Sequence, residues 1–451
     1  MLLDSAACDT PRGRWSFMAV QPRHTLLAAD GECRKDGESV PHDPFQALAE
    51  MLADWPKEGP PEGIPFAGGA VGVLGYELGR HLETAPARHC AGSGQPELAM
   101  GFYDCVAIFD MQERRAWVSA ITPEAEDRAR RMVRHLAQSA DQAEMPPPSA
   151  LPPLAWGMEL DAAAYRRKVQ RIIDYIAAGD VFQVNLTARC LADRPDRLDG
   201  FQLYRRLRAV NPAPFAAYLR ISTDFTLVSA SPERFLCLDR QGHIQARPIK
   251  GTRPRSSDPD QDRRAAAELT GSAKDNAENL MIADLLRNDI GRVARIGSVR
   301  APVLCGLESY ASVHHLVSVV EADLRPGLGP VDLLRATFPG GSITGAPKVR
   351  AMEIIDELEP AARGAYCGSV AWIGSDGAMD ASIVIRSLVL TKDRLIAQAG
   401  GGVVSDSDPE AEYQEMRAKL APALAVAAHC DDERLDGDTF AADNRTFQQG
   451  S

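Results

Sequence analysis

The clearest helical pattern in the chain begins after Asp161 and ends at Gly179. Apolar side chains at Tyr165, Val169 and Ile172 fall on one face of a helix that Asp161 is placed to cap. Similar patterns predict helices over residues 43–55, 123–139, 199–209, 259–290, 346–358 and 409–427.

Strand patterns are spread between these helices. Residues 100–121 contain two alternating apolar runs around the polar segment D-M-Q-E-R-R, which predicts a hairpin. Residues 66–79 are dense in glycine without the G-x-G-x-x-G spacing of a dinucleotide site, and we interpret them as a strand packed closely on another layer. Further strands are predicted within residues 14–29, 181–190, 216–238, 297–304, 366–374, 381–391 and 394–399. This mixture, without strict βαβ alternation, favours an α+β fold.

A proline-rich linker over residues 141–156 separates an N-terminal region, residues 1–140, from a candidate catalytic domain, residues 157–430. The last segment, residues 431–451, is polar and has no apolar periodicity, which predicts a disordered tail.

Composition narrows the class of protein. The chain has 451 residues, 45% hydrophobic and 25% charged, as in soluble globular proteins. Its net charge of −12 disfavours a nucleic-acid-binding surface. The N-terminus lacks the basic segment of a secretory signal, and no apolar run is long enough to span a membrane. Nine cysteines without a C-x-x-C pair favour reduced thiols, so we expect a cytoplasmic protein.

The segment A-R-P-I-K-G-T-R-P-R holds a candidate nucleophile, Lys250. Pro248 and Pro254 stiffen the backbone on both sides, and Gly251 opens space beside the lysine. A lysine held rigidly and desolvated loses its charge more readily and can act as a nucleophile. The alternative is a solvated basic loop.

The glycine-rich segment F-P-G-G-S-I-T-G-A-P-K precedes a predicted helix. Pro347 suits the first helical turn, and Ser342 or Thr344 is placed to cap it, so this turn is a candidate anion site for a carboxylate. Ala346 and Pro347 interrupt any Walker A motif, which argues against a phosphate-transferring enzyme. The alternative is a turn that only connects two elements.

Three glutamates form a candidate metal site. Glu278 lies on one predicted helix, and Glu412 and Glu415 lie three residues apart on another, so the last two share a face. Carboxylate oxygens with open positions for water and substrate suit Mg²⁺. The alternative is an exposed ion pair between Glu415 and Lys419.

Four smaller features complete the candidates. Glu233 in S-P-E-R-F is a candidate acid or base near Lys250. His315 lies in an apolar setting, where a lone histidine is more often structural. Arg386 alternates with apolar residues and is placed to hold a carboxylate in two hydrogen bonds. The glycines at 400–402 allow a ligand to approach the backbone.

Together these motifs resemble the chorismate-utilising enzymes, which include anthranilate, aminodeoxychorismate, isochorismate and salicylate synthases. The motifs occur in the family's order: P-I-K-G-T-R-P-R, A-E-N-L-M-I-A-D-L-L-R-N-D-I-G, V-H-H-L-V-S, F-P-G-G-S-I-T-G-A-P-K-V-R-A-M, Y-C-G-S, D-A-S-I-V-I-R, A-G-G-G-V-V and E-A-E-Y-Q-E. The resemblance implies two face-to-face β-sheets flanked by helices, with residues of both halves interleaved. The family's anthranilate synthases typically carry alanine where this chain has Lys250, and lysine there marks aminodeoxychorismate synthase component I.

The resemblance also implies a mechanism. Lys250 would attack C2 of chorismate while Glu233 protonates the leaving 4-hydroxyl, and ammonia would then displace the lysine to give 4-amino-4-deoxychorismate. The ammonia would come from glutamine through a partner amidotransferase subunit. Glu278 and Glu415, supported by Glu412, would bind Mg²⁺. The positions that match substrate contacts are His315, Ser342, Thr344, Tyr366, Arg386, Gly400, Gly401 and Gly402.

The N-terminal segment departs from the family pattern. The L-L-D-S-A segment resembles the family's L-L-E-S motif but starts at Leu2, so either the start codon is placed late or the first strand is missing. Whether a tryptophan pocket is intact is therefore left open. Its counterparts are Leu3, Asp4, Ser5, Asn211, Pro212, Pro214 and Phe215.

Two alternative functions remain. Anthranilate synthase component I, of tryptophan biosynthesis, would release an aromatic amine and pyruvate. A metabolite-sensing subunit would bind chorismate without turnover, but the presence of Lys250 and Glu233 argues against it.

Overall fold

The computed structural model describes residues 1–7, 13–83, 88–89, 94–140, 148, 151–152, 154–196, 198–310 and 313–426. Most of the predicted linker and the whole predicted tail lie outside these residues. In the described part of the chain, no helix combines the length and apolar character that crossing a bilayer requires.

The strands of the structure are, in chain order, β1 Leu2–Asp4, β2 Trp15–Met18, β3 His24–Ala29, β4 Glu32–Lys35, β5 Glu38–Val40, β6 Gly69–Leu74, β7 Leu98–Tyr103, β8 Cys105–Asp110, β9 Arg115–Ala120, β10 Gly157–Met158, β11 Gln183–Asp193, β12 Phe215–Arg220, β13 Thr226–Ser231, β14 Arg234–Leu238, β15 His243–Ala246, β16 Ile249–Pro254, β17 Arg300–Ser309, β18 Val313–Asp323, β19 Gly345–Ala346, β20 Ser369–Gly374, β21 Met379–Ile383, β22 Ser387–Leu390 and β23 Arg394–Val403. The helices are α1 Pro44–Ala53, α2 Glu126–Ala140, α3 Ala162–Ala177, α4 Gly200–Val210, α5 Pro259–Gly271, α6 Ala273–Gly291, α7 Pro330–Thr337, α8 Lys348–Leu358 and α9 Pro409–Ala425, with 3₁₀ turns at Tyr76–His81, Pro123–Ala125 and Gly341–Ile343.

Two antiparallel sheets form the frame of the molecule. Among the described residues, the first sheet has 11 strands in the order β10-β11-β23-β22-β13-β12-β1-β2-β8-β9, with β19 paired to β11. The second has 12 strands in the order β16-β18-β15-β14-β21-β20-β6-β7-β3-β4-β5, with β17 paired to β18. Each sheet contains strands from both sides of the linker, so the α+β fold with interleaved halves is confirmed.

Aromatic side chains join the two sheets. Phe17 on β2 of the first sheet lies edge-on to Trp372 on β20 of the second, with ring centroids 6.2 Å apart. Phe66 packs against both rings, at 5.5 Å from Phe17 and 5.1 Å from Trp372. Buried aromatic pairs contribute about 0.5–1.5 kcal/mol beyond the area that they bury. These contacts hold the sheets face to face.

Most predicted elements are found, because their caps and periodicity are local. Asp161 caps α3 by accepting a hydrogen bond from the Ala164 N–H at 2.6 Å, and Asp43 caps α1 in the same way. The helical region predicted over residues 259–290 is found as two helices, because Ser272 ends α5 and caps α6. The strand predicted over residues 381–391 is also two strands, β21 and β22, which belong to different sheets.

Candidate active site

Lys250 lies on the edge strand β16, which pairs with β18 alone among the described strands. Between Ile249 and Thr252 the register shifts by one residue, so Lys250 and Gly251 form a β-bulge. Gly251 has φ +82°, and a Cβ there would press on Asp275, so the bulge requires glycine. The Lys250 Nζ donates a hydrogen bond to the Ser342 carbonyl at 3.3 Å. The bulge at Gly251 therefore sets the direction in which the Lys250 side chain leaves β16.

Glu233 lies where the chain crosses from β13 in the first sheet to β14 in the second. Burial raises the pKa of its carboxyl, although Lys250, a hydrogen bond from the Ser342 side chain and Lys419 act in the opposite direction. Its backbone carbonyl accepts a hydrogen bond from the Ile383 N–H at 3.0 Å, which fixes the crossing. Glu233 is thus a buried acid in the electrostatic range of Lys250.

His315 is placed beside the same bulge. It lies on β18 directly opposite Thr252, and its Nδ1 is 2.8 Å from the Thr252 hydroxyl oxygen. The Tyr310 ring lies 5.7 Å from the imidazole. The histidine is half-buried, so its ring is held by the protein while part of it remains accessible.

The glycine-rich turn differs from its predicted form. Helix α8 begins at Lys348 with Pro347 as its cap residue, and neither Ser342 nor Thr344 caps it. Thr344 is fully buried and donates its hydroxyl to the Gly340 carbonyl at 3.0 Å, so that hydroxyl does not reach a ligand. Gly345 belongs to β19, and a Cβ on it would collide with the Gln183 carbonyl.

The predicted capping of the helix by Ser342 or Thr344 is therefore wrong, because β19 lies between these residues and α8. Ser342 instead takes part in the site through two groups. Its carbonyl accepts a hydrogen bond from Lys250, and its side chain lowers the pKa of the nearby Glu233 carboxyl.

Arg386 lies at the second crossing between the sheets, from β21 to β22, with φ +51°. A non-glycine residue held in this region is strained, which is frequent at functional sites. The side chain is exposed to solvent, yet burial lowers its pKa, while Tyr366 acts to raise it. A side chain that lines a water-filled recess is both in contact with solvent and partly desolvated by the surrounding protein. No described residue forms a hydrogen bond or ion pair with the guanidinium, so it remains available to a carboxylate.

Two acidic side chains converge on the glycines of β23. A Cβ on Gly401 would lie 3.0 Å from the Glu412 Oε2 and 3.6 Å from the Glu415 Oε1. Burial and then the neighbouring Glu415 raise the pKa of Glu412, and Ser407 donates a hydrogen bond to its Oε1 at 2.7 Å. Glu415 forms an ion pair with Lys419 at 2.6 Å, as the alternative interpretation expected.

The third acidic residue, Glu278, lies on α6 and accepts a hydrogen bond from the Gln183 Nε2 at 3.1 Å. Burial raises its pKa, and Lys250 and Lys274 lower it. Gln183 in turn lies against Gly402, and Lys274 lowers the pKa of Glu278, Glu412 and Glu415 alike, so the three carboxyls share one electrostatic environment. Carboxylate oxygens are the ligands that a hard cation such as Mg²⁺ prefers, so this group of glutamates fits such an ion.

In the described part of the chain, no group of three or more His, Cys, Asp and Glu side chains stands ready to hold a metal. The three glutamates therefore do not form a closed site by themselves. Mg²⁺ commonly binds to only one or two carboxylates and completes its coordination with water and substrate oxygens. Partial coordination by Glu278 and the α9 glutamates agrees with that behaviour.

A separate cavity of about 90 Å³ lies between the sheets, and none of its lining residues belongs to the Lys250 site. Five of the seven predicted tryptophan-pocket residues line it: Leu3, Asp4, Ser5, Pro214 and Phe215. The other two, Asn211 and Pro212, do not. The sequence did not predict its other walls, which include Trp15, Phe17, Trp372 and Asp380.

Gln183 and Arg363 were missed from the sequence, and Lys419 was considered only as a partner for Glu415. Gln183 is fully buried on β11, and its hydrogen bond to Glu278 joins residues 95 positions apart. Lys419 donates a hydrogen bond to the Gly400 carbonyl at 3.0 Å and contributes positive charge at Glu233. Arg363 binds the turn that carries Ser342, and no local pattern indicates that contact.

Comparison with known proteins gives consistent matches along the chain. The family model described as chorismate binding enzyme matches residues 3–425. The chain is 45% identical over 426 residues to aminodeoxychorismate synthase component 1 of Klebsiella aerogenes, covering 93% of this chain and 92% of that protein. It is 41% identical to anthranilate synthase component 1 of Thermus thermophilus, covering 90% and 87%. Among solved structures, anthranilate synthase component I of Streptococcus pneumoniae has a TM-score of 0.81 at 30% identity, covering 91% of this chain and 92% of that one.

Proposed function

We propose that this chain, which belongs to the chorismate binding enzyme family, converts chorismate and ammonia to 4-amino-4-deoxychorismate as the first component of an aminodeoxychorismate synthase. The observation that carries the proposal is Lys250, whose amine is aimed by a bulge at the Ser342 carbonyl and whose charge acts on the buried Glu233. We expect the product to serve p-aminobenzoate and folate biosynthesis.

In the first step, the neutral Lys250 amine bonds to C2 of chorismate, the ring double bonds shift, and the bond from C4 to its hydroxyl breaks. Glu233 gives its proton to that hydroxyl, which leaves as water. Because burial raises the pKa of Glu233, the carboxyl stays protonated to a higher pH than an exposed glutamate. The raised pKa therefore supports the role of an acid.

In the second step, ammonia bonds to C4, the double bonds shift back, and the bond between C2 and the lysine nitrogen breaks. The lysine leaves as the neutral amine, the product carries the ammonium group, and Glu233 recovers a proton from solvent. The ring keeps its enolpyruvyl group. We expect the ammonia to come from glutamine hydrolysed by a partner amidotransferase, as the component 1 naming of the relatives suggests.

Recognition of chorismate needs groups for its two carboxylates. The guanidinium of Arg386 has no described protein partner and suits one of them through two parallel hydrogen bonds. Glu278 and Glu415, with Glu412 beside them, would hold Mg²⁺, which supplies positive charge for the other carboxylate. We expect His315, Tyr366 and the backbone of residues 400–402 to orient the ring.

The second cavity suits tryptophan. Aromatic side chains of Trp15, Phe17 and Trp372 line it together with the carboxylates of Asp4 and Asp380, which matches an aromatic ligand with an ammonium group. Asp4 already accepts hydrogen bonds from the Tyr204 hydroxyl at 2.6 Å and the Arg208 Nε at 2.5 Å, so it is held in place. Tryptophan released from purified protein on denaturation would support this assignment. Failure of added tryptophan to bind would refute it.

The function is tested with purified protein, chorismate, ammonium and Mg²⁺, followed by an added aminodeoxychorismate lyase. Mass spectrometry then identifies the aromatic product. The proposal predicts p-aminobenzoate, whereas anthranilate with pyruvate would assign the chain to anthranilate synthase component I. Unchanged chorismate would instead support a sensing subunit.

A further inference from the structure

Arg363 is a buried arginine outside the groups that touch substrate. It is 2% exposed and lies in the segment between α8 and β20. Its Nε donates to the Glu359 Oε2 at 2.9 Å, and its Nη2 donates to the Glu359 Oε1 at 2.7 Å. Its guanidinium also stacks 4.6 Å from the centre of the Tyr76 ring. The charge of Arg363 is therefore compensated inside the protein.

Two further donors of Arg363 reach backbone carbonyls of different elements. The Nη1 donates to the Ile343 carbonyl at 2.7 Å, and the Nη2 donates to the Asn185 carbonyl at 2.7 Å. Ile343 ends the 3₁₀ turn, and Asn185 lies on β11. The Arg363 guanidinium thus connects the turn to the first sheet. Its planar group can do so because it carries several N–H donors that point in different directions.

Ser342, the neighbour of Ile343 in this turn, has both of its oxygens in the active site. Its carbonyl accepts hydrogen bonds from the Lys250 Nζ and from the Asn185 Nδ2, both at 3.3 Å. Its side chain also lowers the pKa of the buried Glu233 carboxyl. A displacement of the turn would therefore change the surroundings of both the nucleophile, Lys250, and the acid, Glu233.

We infer that Arg363 is a positioning residue, which holds the Gly341–Ile343 turn where Ser342 orients Lys250 and Glu233. The inference rests on the proposed function for its chemistry, but the contacts that carry it are independent of the substrate. Among the described residues, neither the Arg386 nor the Glu278 side chain forms a hydrogen bond with this turn, so chorismate binding should be separable from positioning.

The test compares Arg363→Lys with Arg189→Lys. Lysine keeps the positive charge at 363 but cannot bond Glu359 and two carbonyls together. Arg189, on the same strand as Asn185, forms a matched two-bond pair with Glu159 at 2.8 and 2.5 Å and does not contact the turn. We expect Arg363→Lys to lower kcat by about 100-fold, the cost of a displacement near 1 Å, with the chorismate KM little changed. Arg189→Lys should keep the wild-type kcat.

A double variant separates positioning from a general loss of structure. If Arg363 acts through the turn, Arg363→Lys combined with Ser342→Ala should lose less activity than the product of the two single losses. Multiplied losses, or a wild-type kcat for Arg363→Lys, would overturn the inference. If Arg363→Lys does not fold, Asn185→Ala removes the side-chain bond to the Ser342 carbonyl and should lower kcat by about tenfold at constant KM; an unchanged kcat would overturn the inference. A wild-type enzyme that forms no aminodeoxychorismate would refute the proposed function instead.

Discussion

The unpaired guanidinium of Arg386 gives the sharpest prediction about substrate binding. The perturbation is Arg386→Gln, which keeps a polar side chain and removes the charge. No described residue pairs with this guanidinium, so the substitution breaks no hydrogen bond between described residues of the free protein. The loss should therefore appear when a chorismate carboxylate is bound and not when the protein unfolds.

The magnitude follows from the number and type of bonds. A hydrogen bond to a charged group contributes about 1.5–3 kcal/mol, which corresponds to roughly a 10- to 150-fold fall in kcat/KM for chorismate. The side chain is exposed to solvent, so the free energy of unfolding should change by no more than about 0.5 kcal/mol.

Arg363 provides the matched contrast. It is a buried arginine whose side chain donates four hydrogen bonds, so Arg363→Gln breaks a compensated pair and leaves the buried Glu359 carboxylate without its cationic partner. Such a change costs about 3–5 kcal/mol of stability. Steady-state kinetics with chorismate and denaturant unfolding, run on both variants, separate the two roles. The reasoning is refuted if Arg386→Gln is destabilised as much as Arg363→Gln while its kcat/KM is unchanged.

Two further predictions concern the acid and the metal. Burial raises the pKa of Glu233, and the first step needs its protonated form, so kcat should fall as the pH rises through that raised pKa. Glu233→Gln should lack this descending limb of the pH profile; a limb that persists unchanged in the variant would exclude Glu233 as the acid. Removal of divalent cations with EDTA should abolish activity, and Mg²⁺ should restore it in the wild type but much less in Glu278→Gln. Full activity in a Mg²⁺-free assay would rule out the metal role of Glu278 and Glu415.

The elements of the fold that could be predicted are those marked by local sequence features, namely apolar periodicity, capping residues and turn residues. The capped helix α3 and the hairpin of β8 and β9 need only periodicity and turn residues, and both were found. The break between α5 and α6 was missed because Ser272 serves as the end of one helix and the cap of the next. The break between β21 and β22 was missed because apolar alternation continues through a residue whose φ is positive.

The candidate site shows the same limit. Lys250 and Gly251 were predicted because the glycine and prolines are adjacent in sequence. The capping role assigned to Ser342 was wrong, since the pairing of β19 with β11 is a contact between distant segments. Gln183, Arg363 and the contact of Lys419 with the Gly400 carbonyl were missed for the same reason: these hydrogen bonds join residues between 19 and 178 positions apart, and no local pattern records such contacts.

The central claim is that Lys250 bonds covalently to chorismate, and one measurement tests it most directly. The protein is mixed with chorismate and Mg²⁺ without ammonium, quenched in acid, and analysed by intact and peptide mass spectrometry. The account predicts a mass gain of one chorismate less one water, located on the peptide that contains Lys250 and absent from Lys250→Ala. Wild-type rates of aminodeoxychorismate formation by Lys250→Ala would contradict it.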